Sequence, residues 1–363
     1  MKERNVPKYL QLKREILSWI HSGELQPNDK IPTENDIAKL FQVSRHTVRQ
    51  TLGELEKEGW LNKVQGRGTF VSKPESSKRT ELKIIGILTT YISDYIFPHI
   101  VRGAEETLRQ KGYRLLLSST DNNKNKERES LEMLITQPLS GLIIEPTKSA
   151  QGNPHLEYYL TLNNLNIPFL MINERYSEMS CPTIKVDDEE GGYVATEHLL
   201  HLGHKKIIGF FKSDDLQGVN RLKGFIRAHQ NNRIPLDPNA VVTYATEEKD
   251  SKPMEKALQS LEIEEYRPTA FICYNDELAI NLLEVIRQKG LSVPDDISIV
   301  SFDDSPLAVA TEVKLTTLSH PKVEMGRKAA EILLEMIEGK SMEPNEDVIY
   351  KPELVVRTST KKI

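Results

Sequence analysis

IPTENDIAKLFQVSRHTVRQTLGELEKEGWLNKVQGRGTFV, residues 31–71, has the pattern of two short helices, a tight turn between them and a hairpin after them. Thr33 with Asp36 three positions later predicts a capped first helix, because each side chain can bind the backbone amide of the other. Ser44 is placed to cap the second helix after a turn of only three residues, 42–44. This spacing predicts a helix-turn-helix.

The second predicted helix begins with side chains that can read or hold DNA. Its first turn contains Arg45, His46, Thr47 and Arg49. An arginine there can donate two hydrogen bonds to guanine in the major groove, which discriminates between bases by about 1–3 kcal/mol. At the hairpin tip two glycines flank Arg67, and the backbone reversal that they permit presents it to phosphate or the minor groove. The alternative is an ordinary solvated basic face, but the order of caps, turn, basic turn and basic tip favours DNA binding.

Composition bounds the class of protein. The 363 residues exceed what one hydrophobic core normally holds, so two or three domains are expected. The charged N-terminus has no signal-peptide pattern, and no apolar run approaches a membrane span of roughly 18–20 residues. Cys181 and Cys273 lie far apart without metal-site spacing, which is typical of buried thiols in a reducing compartment. We therefore expect a cytoplasmic protein with no membrane partner, metal or cofactor.

Charge is distributed unevenly along the chain. Residues 1–73 contain 13 Lys and Arg and 9 Asp and Glu, a net charge of +4, so the rest carries −9 of the total of −5. A basic end on an acidic body concentrates DNA attraction at that end. Residues 1–73 also hold enough apolar side chains for a core of their own. The predicted set is Leu10, Ile16, Trp19, Ile20, Ile37, Leu40, Phe41, Val48, Leu52, Leu55, Trp60 and Phe70.

Residues 74–82 lack periodicity and begin with proline, so we interpret them as a linker, with a short DNA-touching hinge as the alternative. From residue 83 to 363 apolar runs of strand length alternate with amphipathic helices, which predicts an α/β domain with parallel sheets. The predicted strands are 84–90, 113–119, 141–146, 169–173, 183–187, 206–211, 270–275 and 297–304. Helices are expected between them, for example at 99–111, 190–202, 218–231, 276–288 and 323–338.

Polar side chains follow nearly every predicted strand. Ligands of open parallel sheets bind beyond the carboxyl ends of the strands, and carboxylates, amides and tyrosines there suit a sugar, whose hydroxyls each donate and accept. The candidate effector-binding residues are Tyr91, Asp94, Tyr95, Glu145, Lys148, Asn173, Asp187, Arg221, Tyr274, Asn275, Asp303 and His320. The alternative for each is a helix cap, an interpretation that we prefer for Glu174, Asp276 and Asp304.

Two resemblances extend this interpretation. The segments PKYLQLKREILSWI, IPTENDIAKLFQVSRHTVRQTLGELEKEGWL and GRGTFV resemble the winged helix-turn-helix of GntR-type regulators. The segments EEGGYVATEHLLHLGHKKIIGFF, NRLKGF, PTAFICYNDELAI, VPDDISIVSFDDS and LTTLSHP resemble the effector domain of LacI/GalR repressors. The second resemblance implies a periplasmic-binding-protein-like domain of two lobes, with crossovers near 183–185, 317–320 and 343–347 and sugar contacts at Arg221, Asn275 and Asp303.

One departure from the LacI/GalR pattern matters, because this chain has neither the DNA head nor the hinge helix of those repressors. A GntR-type head on such a body resembles regulators of sugar use in Gram-positive bacteria. The resemblance implies a homodimeric repressor of palindromic double-stranded operators that is released by L-arabinose. It implies DNA contacts from Lys8, Glu34, Arg45, His46, Arg49 and Gln65.

Other classes of function fit less well. The sequence contains no nucleophile-elbow, zinc-protease, P-loop or dinucleotide motif, so no catalytic residues are predicted. HLGH at 201–204 is interpreted as a helix end and not as a metal site. Two alternatives remain open: a repressor that answers to another sugar or a sugar phosphate, and a constitutive DNA-binding protein whose C-terminal domain only dimerises.

Overall fold

The computed structural model describes residues 8–21, 23–64, 66–72, 83–92, 96–340 and 347–363. The chain divides into two compact units, Met1–Glu81 and Leu82–Ile363. All of the N-terminal basic region, residues 1–73, therefore falls in the first unit, whereas the linker predicted at 74–82 lies outside the described residues. None of the helices in the described part of the chain has the length and apolar content that a membrane crossing requires.

The first unit is a helix-turn-helix followed by a two-stranded wing. Its elements are α1 Lys8–His21, α2 Glu34–Leu40, α3 Arg45–Lys57, β1 Leu61–Val64 and β2 Gly68–Val71. The two strands are antiparallel, with Leu61 opposite Val71. The predicted caps are confirmed: Thr33 and Asp36 form a capping box on α2, and Ser44 accepts a hydrogen bond from the backbone of α3.

The core of this unit differs in part from the predicted one. Its buried apolar residues are Leu12, Ile16, Ile31, Ile37, Val48, Leu52, Leu55, Leu61 and Val71. The prediction of Leu40 as a core residue is wrong, because it is 63% exposed. It is the last residue of a seven-residue helix in which only Ile37 is buried. Trp19, Ile20, Phe41 and Trp60 pack against the core while partly exposed.

The second unit alternates strands and helices, as predicted. Its helices are α4 Phe97–Gln110, α5 Lys124–Ile135, α6 Leu156–Asn164, α7 Asp188–His201, α8 Leu216–Asn231, α9 Lys252–Leu261, α10 Asp276–Gln288 and α11 Lys322–Ile337. Its strands are β3 Ile84–Thr89, β4 Arg114–Ser119, β5 Leu139–Ile144, β6 Phe169–Ile172, β7 Thr183–Val186, β8 Ile207–Lys212, β9 Val241–Tyr244, β10 Ala270–Cys273, β11 Ser298–Asp303, β12 Thr316–Ser319, β13 Asp347–Tyr350 and β14 Leu354–Val355.

These elements build two lobes, each around a six-stranded sheet. The first sheet has the order β13-β7-β6-β5-β3-β4 and is parallel throughout. The second has the order β14-β12-β11-β10-β8-β9 and is parallel except for the edge strand β14. Helices α4 and α11 pack together on the first sheet, and α7 and α8 pack together beside the second.

The chain passes between the lobes three times, at positions shifted from the predicted ones. Residues 183–185 belong to strand β7 itself, and the first crossing follows at Asp187. The second follows β12 and begins at His320. The third was predicted near 343–347, but β13 still pairs with β7 of the first sheet, so the crossing is made by residues 351–353. Residues 341–346 lie outside the described part.

Candidate functional site

The first turn of α3 presents an exposed polar face. Arg45 and His46 are exposed, and the side chain of Arg49 is 71% exposed while its Nε donates to Oε2 of Glu34 at 2.8 Å. This ion pair joins α2 to α3 and fixes the direction of the guanidinium. The hydroxyl of Thr47 lies 2.9 Å from that of Ser44, so Thr47 also takes part in the cap.

The wing carries Arg67 at an exposed tip between two residues with positive φ, Gly66 and Gly68. Gly68 has a φ of +119°, a conformation that favours glycine, whereas the flexible end of the Lys30 side chain, 2.6 Å from a Cβ atom built there, could move aside. Lys8 is exposed at the start of α1. Gln65 lies outside the described residues.

A cavity of about 960 Å³, its open mouth included, separates the two lobes of the second unit. Loops from the carboxyl ends of both sheets line it, which is where parallel sheets bind ligands. Seven of the predicted residues meet here: Tyr91, Glu145, Asn173, Arg221, Tyr274, Asn275 and Asp303.

On the side of the first lobe, Glu145 is buried and held by three donors. Its Oε2 accepts from the backbone and hydroxyl of Thr90 at 2.8 and 2.6 Å, and its Oε1 accepts from Nδ2 of Asn173 at 2.7 Å. Burial raises the pKa of Glu145 to about 7, although the bonds from Thr90 oppose this shift. Asn173 is thereby oriented with its Oδ1 turned away from Glu145.

On the side of the second lobe, Arg221 is buried between two aromatic rings. Its guanidinium carbon lies 4.8 Å from the ring centre of Tyr274 and 4.3 Å from that of Phe302. Nε donates to Oδ1 of Asp188 at 2.7 Å, and one terminal nitrogen lies 3.7 Å from Asp303. Burial opposes the charged form, but Asp188 and Asp303 together raise the pKa of Arg221.

Lys212 is a second buried cation at the cavity. Its Nζ lies 3.2 Å from Asp215 and 3.7 Å from Asp214. Burial opposes its charge, yet these two carboxylates raise the pKa of the ammonium. The hydroxyl of Tyr274 donates to Asp215 at 2.9 Å. Both buried cations of the lining are therefore neutralised by carboxylates of the same lobe.

Both units of the chain match known protein families. Residues 8–71 match the gntR family of bacterial regulatory proteins, and residues 196–360 match the periplasmic binding protein-like domain. The chain is 67% identical to the arabinose metabolism transcriptional repressor of Geobacillus stearothermophilus over 364 residues, 100% of both chains. It is 47% identical to the repressor of the same name from Halalkalibacterium halodurans, over 97% of this chain and 96% of the relative.

The chain belongs to the family of arabinose metabolism transcriptional repressors. The predicted combination of a GntR-type head with a LacI/GalR-type body is thereby confirmed. A LacI family transcriptional regulator from Enterococcus faecium, solved with bound ribose, has the fold of the second unit. It is 26% identical, with a TM-score of 0.67, and covers 77% of this chain and 100% of its own.

Three predicted effector residues do not line the main cavity of this repressor family member. Lys148 pairs with Glu247 and lies 3.8 Å from Asp214, so it joins the lobes. Asp187 accepts from the backbone of Glu190 and caps α7. His320 lies behind the cavity, where it bonds Asn173. Asp94 and Tyr95 lie outside the described residues.

The predicted caps also need correction. Asn275, not Asp276, caps α10, since its Oδ1 accepts from the backbone of Leu278 at 2.9 Å, and Asn275 still lines the cavity. Asp276 is buried and binds the hydroxyls of Ser301 and Thr317. Glu174, which was also interpreted as a cap, lines the cavity. Its Oε1 accepts from Asn220 of the other lobe at 3.0 Å. Asp304 pairs with Arg357 at 2.6 Å.

The sequence argument missed other lining residues, among them Thr90, Ile96, Phe97, Asn122, Lys212, Gln217, Tyr244 and Lys249. Lys212 could have been found, because it directly follows the predicted strand 206–211, at the sheet edge where ligands of parallel sheets bind. Ile96 and Phe97 gave no such signal, since they are indistinguishable from core residues of α4. Within the described ranges, no group of three or more potential ligands could hold a metal ion.

Proposed function

We propose that this chain is a homodimeric repressor of genes for arabinose use, which binds palindromic operators through its heads and releases them when L-arabinose occupies the cavity. The cavity that separates the lobes, on the same chain as a GntR-type head, carries this proposal. The proposal includes no catalytic step, because the relatives are transcriptional repressors. It places the protein with its operator DNA in the cytoplasm.

Electrostatics favours an uncharged sugar over a sugar phosphate. Arg221 is already paired with Asp188, and Lys212 with Asp215. A phosphate would have to compete with these carboxylates and would meet Glu145 and Glu174 as well. The dianionic group would therefore lose its water beside several carboxylates, and Lys249, whose Nζ lies 5.5 Å from the ring centre of Tyr91, would be the lining cation left to pair with it.

The lining offers what the two faces of a pentose require. Carboxylates, amides and a guanidinium can exchange hydrogen bonds with the hydroxyls. Phe97 and Tyr91 lie together, with ring centres 6.2 Å apart, and provide apolar surface for the C–H groups. A mixed lining of this kind supports a sugar better than an apolar ligand.

Contacts between the lobes favour a regulatory role for the second unit over the alternative that this unit only dimerises. Nδ2 of Asn122 donates to Thr246 at 2.6 Å, and the backbone of Leu216 donates to Ser149 at 2.9 Å. Both bonds join opposite lobes beside the cavity, so they depend on lobe closure. A ligand that favours closure would shift the heads, and a coupling free energy of about 1–3 kcal/mol is typical of such switches.

The experiment is calorimetric titration of the full chain with L-arabinose, D-ribose, D-xylose and D-ribose 5-phosphate, followed by operator gel shifts with each sugar. We expect binding and operator release with L-arabinose, and no release with the phosphate. Release by another pentose alone would retain the mechanism and replace the effector. Operator binding that no sugar changes would favour the constitutive alternative. Sedimentation of the full chain measures the dimer.

A further inference from the structure

A second, smaller cavity lies where the three crossovers meet. Asp187 and Asp188 from the first crossover, His320 from the second and Pro352 from the third all line it. It admits a water-sized sphere but little more. We call it the hinge cavity. Arg221 and Asp303 line both it and the main cavity.

Two buried polar atoms of residues that line the hinge cavity have no hydrogen-bond partner among the described residues. They are Oδ2 of Asp188 and Nδ1 of His320. The two residues are only 3% and 7% exposed. A buried polar atom without a partner destabilises the fold, so two such atoms on residues of one cavity point to a shared donor.

The hydrogen-bond network fixes the tautomer of His320. Nδ2 of Asn173 donates to Glu145 at 2.7 Å, so its Oδ1 is the atom that lies 3.2 Å from Nε2 of His320. Nε2 must then carry the hydrogen, and Nδ1 is a bare acceptor. Burial lowers the pKa of His320 to about 4, which keeps the ring neutral. On the other side, Oδ1 of Asp188 is already occupied by Arg221.

We propose that the hinge cavity binds one water molecule that donates one hydrogen to Oδ2 of Asp188 and the other to Nδ1 of His320. Water is the smallest molecule with two donors, and the cavity has room for one. A metal ion fits less well, because no group of three or more potential metal ligands occurs among the described residues.

This water completes a path between the two walls of the effector site. The path runs from Arg221 through Asp188 and the water to His320, and then through Asn173 to Glu145. It joins the second lobe to the first beside the crossovers, where the chain passes between the lobes. His320 is therefore a positioning residue for sugar binding, a consequence that rests on the proposed function.

A crystal structure of the full chain, at a resolution that shows ordered waters, tests the site without any sugar. We expect a density peak about 2.6–3.2 Å from both Oδ2 of Asp188 and Nδ1 of His320. Absence of the peak, a peak that touches only one of the two atoms, or a peak with the short contacts of a metal ion would overturn the proposal. Because this result needs no effector, it stands apart from failure of the proposed function.

Titration of variants tests the positioning role. His320→Phe keeps a ring but removes both nitrogens, and we expect its L-arabinose affinity to fall about three- to tenfold, the value of one buried hydrogen bond. His320→Gln offers a donor and an acceptor and should retain L-arabinose affinity. This variant keeps the positioning role testable if His320→Phe does not fold. His229→Phe is the matched control, since His229 is buried and its ring bonds the backbone of Phe225 in its own helix, away from the hinge cavity. Equal affinity of His320→Phe and His229→Phe would contradict the role.

Discussion

Nε of Arg221 lies 2.7 Å from Oδ1 of Asp188, so a carboxylate at the start of α7 holds the arginine of the cavity wall from behind. Tyr274 and Phe302 confine the guanidinium from the sides. Arg221 has two candidate roles, which are contact with the sugar and a structural pair with Asp188. The structure shows the pair and places the same side chain at the cavity, so the two roles are compatible.

Arg221→Lys should remove the sugar response and leave operator binding intact. Lysine keeps the charge beside Asp188 but lacks the planar fork that can serve Asp188 and two hydroxyls together. Arg221→Ala is a poorer test, because an unpaired buried Asp188 costs about 3–5 kcal/mol of stability. Operator gel shifts with and without L-arabinose measure the effect. If the Arg221→Lys variant released the operator at the L-arabinose concentration that suffices for wild type, Arg221 would have a structural role only.

Arg45→Ala should weaken operator binding by roughly 1–3 kcal/mol and weaken random DNA much less. Arg45 is exposed in the first turn of α3, where a base-reading arginine is expected. Fluorescence anisotropy with operator and scrambled duplexes at one salt concentration gives both values. Equal losses on the two duplexes would assign Arg45 to phosphate contact.

Arg67→Ala should weaken binding to every DNA sequence by a similar factor. Arg67 lies at the exposed tip of the wing and not on the helix that is expected to read bases. Loss of one phosphate contact reduces the slope of log affinity against log salt by about 1. Lys63→Ala, on the exposed part of β1, serves as the wing control. A loss confined to the operator would show instead that Arg67 reads bases.

A fragment that ends at Lys73 should fold by itself, because the first unit has its own buried core. It should bind the operator more weakly than the full chain, since two linked heads act at a high effective concentration. Circular dichroism and gel shifts at matched salt measure the two properties. Equal affinity of fragment and full chain would argue against dimerisation through the second unit.

His320 should make the protein less stable in acid. The folded pKa is about 4 against the ordinary 6.5, because burial penalises the charged ring. Between these values the unfolded chain binds a proton that the folded chain does not, so the stability that the neutral ring contributes is lost as pH falls from 6.5 to 4. Relative to His320→Gln, wild type should lose roughly 3 kcal/mol between pH 7 and pH 4. Urea unfolding at several pH values measures this, and parallel stability curves for the two proteins would refute it.

The sequence by itself determined the local structure and the class of protein. Thr33, Asp36 and Ser44 specified both helix starts of the head, because caps act over three residues. The alternation of apolar runs specified the parallel sheets of the second unit, since buried strands require such runs. Prediction of the core of the head failed only locally, for example at Leu40. The helical spacing of Leu40 fits a core position, but no neighbouring element covers it.

Tertiary structure decided which of many similar polar residues meet. Asp187 and Asn275 each follow a strand and cap the next helix, yet only Asn275 lines the main cavity. Short-range rules cannot separate them, because the difference depends on how two lobes fold around one space. The approach of Asp188 and His320 at the hinge cavity has the same origin. The crossovers bring them together from distant parts of the chain, and only packing in three dimensions specifies that meeting.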